Sequence, residues 1–218
     1  MRTASAVGKT TRRTGVKNMT LLRPVAGRTD DQGNVHGAIM RVALHLFVTR
    51  GYFNTTMRDI GREANLSAGA IYYHFDSKES IARALFMDMV DRIGHHFDEI
   101  EKSFSTTHDR CRAVVELLFL ITDEEPEVME YMLHTKHVEF LGNGIPVCSS
   151  KPFRQMRAMV HKGMKAGEVR PMDPTVAANA VYGGPLRMIS MRLDGLVEKK
   201  LRCYMDEVWA AAWRSVAV

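Results

Sequence analysis

Apolar residues take up a helical period at about Val35 and keep it to the end of the chain, with no convincing stretch of two-residue alternation. Ala38, Ile39, Val42, Ala43, Leu46 and Phe47 form one apolar face, and Gly51 closes the helix that carries it. Two short helices are predicted next. Thr56 with Asp59 three residues on makes a capping box that opens residues 57–64. Asn65-Leu66-Ser67 reads as a turn, and Ser67 caps a helix over residues 68–75. Asp76 with Glu79 repeats the capping-box pattern and opens a long helix over about 77–102, striped by Ile81, Leu85, Met89, Ile93 and Phe97.

Beyond this the chain still reads as helices. Residues 110–123 are apolar at Val114, Val115, Leu117, Leu118 and Ile121, and Pro126 starts a helix over 126–141. Residues 142–151 are a loop and 152–165 a helix. Asp173-Pro174 pairs an N-cap with a first-turn proline and opens 174–193, which Gly183-Gly184-Pro185 should bend. A last helix over about 197–216 carries Leu201, Tyr204, Val208, Trp209, Ala212 and Trp213. The fold class is therefore all-α. Residues 34–80 would form an N-terminal helix-turn-helix domain, and 81–218 a helical ligand-sensing and dimerisation domain.

Charge is unevenly placed. The net charge is +5, and residues 1–33 hold seven basic side chains against two acids, so the remainder is neutral. That segment shows no apolar period and reads as a disordered basic tail. A basic tail can touch DNA phosphates without reading sequence; it reads equally as a plain flexible tail or an over-extended start ahead of Met19. No apolar run has the length of a membrane span, and no secretory signal pattern is seen. Cys111, Cys148 and Cys203 are too few and too scattered for a disulfide framework, which suits a reducing cytoplasm. The chain carries no Gly-rich phosphate loop, nucleophile elbow or zinc-protease helix, so an enzyme is not expected and no cofactor is called for.

The candidate chemistry lies in residues 36–86. Two short helices joined by a tight turn can place the second in the major groove of DNA, which admits one helix. Small residues are needed where that helix meets the groove, and Ser67, Ala68, Gly69 and Ala70 supply them. Ile71 and Phe75 can pack on Ile60, while Tyr72, Tyr73 and His74 can reach base edges or phosphates. The free N–H groups behind Thr56 and Ser77 suit phosphates, and Lys78 adds a charge there.

Arg50-Gly51-Tyr52-Phe53-Asn54-Thr55-Thr56-Met57-Arg58-Asp59-Ile60, Ala64-Asn65-Leu66-Ser67-Ala68-Gly69-Ala70-Ile71-Tyr72-Tyr73-His74-Phe75 and Ser77-Lys78-Glu79 closely resemble the DNA-binding domain of the TetR family of transcriptional regulators. The resemblance covers about fifty residues. It implies that Thr56 and Arg58 contact phosphates or a nearby base, that Ser67, Ala68, Gly69, Tyr72 and Tyr73 lie in the groove, and that His74 and Lys78 hold phosphates. Phe75, Ile60 and Phe47 would be core. Gly61 departs from the pattern, standing where a better helix former is usual. Base readout is thin in Arg, Asn and Gln, so DNA shape would supply part of the specificity.

The resemblance also implies a dimer on a palindromic operator of double-stranded DNA, released by a small-molecule effector. Met89, Phe97, Phe119, Met129, Met132, His137, Phe140, Met156, Met159, Tyr182 and Met188 are candidate walls for an apolar or aromatic effector, methionine being adaptable. They read equally as ordinary core. Ala177, Val181, Leu186, Ile189, Trp209 and Trp213 are candidates for the dimer face. Glu130, His134 and His137 share one helix face, so a metal-responsive regulator is the alternative, with Cys148 near in sequence. A repressor is the expected reading, with an activator as a further alternative, since both would bind DNA in the same way.

Overall fold

The computed structural model describes residues 31–135 and 150–218. Among these, nine α-helices form, with one isolated bridge between Val169 and Ala217 and no strand. Residues 1–30 of the basic tail, His137, Phe140, Cys148 and residues 142–149 of the loop lie outside the described residues, and residues 31–33, expected in the tail, are helical.

Helices α1 (Asp31–Thr49), α2 (Met57–Glu63) and α3 (Ala68–His74) make the N-terminal head. Local chemistry sets each boundary. Gly51 takes φ +85 just after α1, a left-handed conformation that glycine adopts without strain. Buried Thr55 ties the connection down by donating to the carbonyls of Leu46 (3.3 Å) and Gly51 (3.0 Å). The capping box at Thr56 forms as the sequence predicts, with both the Thr56 and the Asp59 bonds made. Asn65 sits at φ 55, a region asparagine tolerates, and turns the chain from α2 into α3. The Leu66 N–H returns to the Gly61 carbonyl at 2.8 Å.

Helix α4 (Lys78–Ser103) runs from the head into the body. Its N-cap is Ser77, paired with Ser80, and not Asp76 with Glu79. The Glu79 carboxylate accepts a hydrogen bond from the Tyr52 hydroxyl at 2.9 Å. Around α5 (Thr107–Glu124), buried at ten positions along its length, are packed α4, α6 (Pro126–His134), α7 (Lys151–Lys165), α8 (Pro174–Leu193) and α9 (Met205–Arg214). The N-terminus of α5 is capped twice, by Thr106 and by Glu168, whose carboxylate accepts from the Thr107 N–H at 2.8 Å.

One C-terminal expectation changes. Helix α8 runs as one helix through Gly183-Gly184-Pro185. The last helix does not begin near Val197: a 3-10 turn (Leu201–Tyr204) precedes α9, which ends at Arg214. Asp123 at the end of α5 accepts from the Leu201 N–H at 2.9 Å, and this distant carboxylate starts the 3-10 turn four residues later than expected.

Candidate nucleic-acid interface

Helix α3 is anchored by one face only. Ile71 is buried and Phe75 nearly so, while Ser67, Ala68, Gly69, Tyr72 and Tyr73 are exposed. Tyr72 and Tyr73 keep 54% and 73% of their surface, unusual for rings of this size and a sign that something outside the chain covers them. Ser67 caps the helix through the Ala70 N–H at 3.2 Å, so the tip is ordered as well as open. His74 is half-buried and meets Tyr73 edge-on at 5.2 Å.

The neighbouring groups are only partly free. Thr56 is exposed, but its hydroxyl donates to Asp59 at 2.6 Å. That bond and the backbone cap hold the Asp59 carboxyl below its ordinary value. Arg58 is exposed and has no ion-pair partner among the described residues. Lys78 is half-buried, donating to the Tyr52 carbonyl at 2.8 Å with its ammonium 4.2 Å from the centre of the Tyr52 ring. Its side chain therefore ties the start of α4 to the α1–α2 connection, besides carrying positive charge at a helix N-terminus.

Sequence reasoning missed three parts of this region. Phe53 is 67% exposed beside Tyr52, just before α2. His36 of α1 stacks on Phe75 at 4.5 Å. Tyr131 of α6 is fully buried, stacks on Phe47 of α1 at 6.3 Å and donates to the Ala82 carbonyl of α4 at 3.0 Å. These contacts join positions far apart in sequence, so no local pattern announces them. Only the Gly51-Tyr52-Phe53 aromatic pair was a visible signal.

In the body, Met89, Phe97, Phe119, Met129, Met132, Met156, Met159 and Tyr182 are all buried and Met188 is half-buried, so they are brought together within one core. Burial pushes the Cys111 thiol up to about 12, which makes it unreactive at neutral pH. A cleft of about 440 Å³ lies elsewhere, between Val48 of α1, Glu127 and Glu130 of α6, and Arg192 and Asp194 at the end of α8. None of the expected effector walls among the described residues lines it.

The His134 ring reaches Glu130 at 3.1 Å, but among the described residues no three metal-ligating side chains cluster. Of the candidates for the dimer face, Ala177, Val181, Ile189 and Trp209 are buried within the chain's own core. Leu186 and Trp213 are half-buried. The outward stripe of α8 is Val176, Ala180, Gly183 and Arg187, with Gly184 beside it.

With this geometry in view, residues 39–85 match the family model described as "Bacterial regulatory proteins, tetR family". The HTH-type transcriptional repressor KstR2 of Rhodococcus jostii is 29% identical over 116 residues, covering 53% of this chain and 57% of that protein. This chain thus matches little more than half the length of that relative. Two solved structures share the fold. The fatty acid degradation regulator FadR of Bacillus halodurans has TM-score 0.72 at 14% identity, over 86% of this chain and 97% of that one. FadR of Bacillus subtilis, solved in complex with stearoyl-CoA, has TM-score 0.67 at 16% identity, over 80% and 96%. Residues 39–85 thus match the tetR-family model, and they are set in an all-helical body whose fold is similar to these solved structures.

Proposed function

We propose that the protein is a ligand-responsive transcriptional repressor that binds a palindromic operator as a homodimer and acts by binding rather than catalysis. The observation that carries the reading is the open tip of α3, where Ser67, Ala68 and Gly69 are exposed and the rings of Tyr72 and Tyr73 stand in solvent. A helix anchored on one face and bare on the other is what insertion into a major groove requires. Among the described residues no helix is long and apolar enough to cross a membrane, in keeping with a cytoplasmic regulator.

The effector is an apolar or aromatic molecule held among α4–α8. The methionine-rich core there supports this, as does the stearoyl-CoA complex of the FadR neighbour. The outward stripe of α8, with Trp213 of α9, is the proposed dimer face, because small residues let two copies approach closely. A two-fold dimer then reads two half-sites about one helical turn apart or more. Activation in place of repression has no support from the repressor relatives, and among the described residues Glu130 and His134 belong to no cluster of three metal-ligating side chains.

The test is binding by anisotropy to duplexes selected by the protein from a random pool. Tyr73→Ala should lower affinity at least about tenfold, the cost of one good base-edge contact, while sedimentation still shows a dimer. Unchanged affinity in Tyr73→Ala would place the DNA surface elsewhere.

A further inference from the structure

We propose that His108 is a proton-operated latch that fastens the last helix, α9, to the start of α5. Trp209 is 3% exposed, so its indole N–H, which can only donate, needs an acceptor inside the protein. It donates to Nε2 of His108 at 2.8 Å. A ring nitrogen accepts only when it carries no proton, so this bond exists only with neutral imidazole. The proton then sits on Nδ1, which donates to Asp109 Oδ1 at 2.8 Å.

Adding a second proton to His108 sets two N–H groups against each other across the same gap. The buried indole donor is left without a partner, which a protein interior penalises. Trp213 stacks on Trp209 at 5.5 Å and meets the His108 ring edge-on at 5.1 Å, so all three rings shift together.

Charged groups stand around His108. On α5 the facing groups are Asp109 and Arg112, the latter paired with Glu116 and with Asp206 of α9. From the segment after α7, Glu168 accepts from the His108 backbone N–H at 3.4 Å. Asp109 stays ionised, since the bond from His108 foremost and the Thr106 bond also hold its carboxyl below the usual range. Of these carboxylates, Asp109 bonds to the ring itself and Glu168 to the backbone N–H. The tryptophan bond is what charging the ring removes. The latch is closed while the His108 ring is neutral and open once it carries a second proton, and it does not depend on the DNA-binding reading.

The chain has two tryptophans and both are in this cluster, so a ¹⁵N spectrum of the whole protein shows the site with two indole signals. Trp213→Phe assigns them. Titration from about pH 8 to about pH 5 spans the range in which histidine changes charge. The latch predicts that the Trp209 indole signal shifts with the same midpoint as the His108 ring nitrogens. Amide exchange in α9, corrected for its intrinsic pH dependence, should rise about tenfold at the acid end. His108→Gln, whose amide oxygen accepts the indole bond without titrating, should abolish the shift. A Trp209 signal that stays still while His108 titrates overturns the proposal, as does a shift that survives in His108→Gln. If that variant does not fold, the two wild-type midpoints decide alone: coincidence supports the latch and divergence rejects it.

Discussion

Two glycines in the helix-turn-helix allow the same substitution to be made for opposite reasons. Gly61 is buried in α2. A Cβ added there would lie 3.4 Å from the Leu66 carbonyl and 4.0 Å from Ile71, at the near edge of ordinary contact. Gly69 is exposed in the first turn of α3, and an added Cβ would meet nothing within 4 Å. Neither needs positive φ, so neither is required by the backbone. An interior glycine costs a helix about 1 kcal/mol relative to alanine. Gly61→Ala should recover most of that, and Gly69→Ala, nearer a helix end, about half. In a protein of this size, 1 kcal/mol raises Tm by about 2–4 °C, so both variants should melt higher than wild type. Their DNA binding should then part company. Gly61→Ala faces the protein and should bind the selected duplex as wild type does. Gly69→Ala adds a methyl at the groove-facing tip and should lose at least about tenfold, or 1.4 kcal/mol. Thermal scans and duplex anisotropy on the same preparations read both effects. Full affinity in Gly69→Ala would refute the account of the open tip. Equal loss in Gly61→Ala would show that the change acts through α2 and not through the groove.

Three further outcomes follow from the packing. Val176→Glu should give a folded monomer by sedimentation, because its side chain points out of α8 with 59% of its surface exposed, whereas Trp209→Glu should fail to fold because it puts a charge in the core. Tyr131→Phe keeps the ring against Phe47 but removes the bond to Ala82. Denaturant unfolding should show a loss of about 1 kcal/mol, and no loss would mean that the hydroxyl does not help tie α6 to α4. Asp59 has its carboxyl held below its ordinary value by the Thr56 bonds, so its contribution is complete above the unfolded value and disappears as the pH falls through the folded one. Amide exchange in α2 should therefore accelerate in acid below about pH 4, and Asp59→Asn should flatten that rise.

How much of this the sequence disclosed depends on how local each signal was. The head was legible almost to the residue, because Gly51, Thr56 with Asp59, Asn65 and Ser67 each set a boundary within a few positions of themselves. Where a distant group intervened, the local reading failed. Ser80, and not Glu79, completes the capping box at Ser77 while Glu79 also bonds to distant Tyr52, and the start of the last helix is fixed by Asp123 from α5. Periodicity on α8 showed that apolar residues line one face, but it could not separate a face buried by the chain itself from one left for a partner. Ala177, Val181 and Ile189 are buried by the chain itself, whereas Val176 is exposed and Ala180 and Gly183 are half-buried. The α3 tip was easier because small residues followed by exposed aromatic rings have no use in a core.

The most direct test is amide exchange of the full chain with and without a selected duplex at moderate salt. The account predicts slower exchange over residues 67–74 and at the starts of α2 and α4, with the body unchanged. If those segments exchange at the same rate while the duplex is demonstrably bound, the DNA surface is not where the open face of α3 places it.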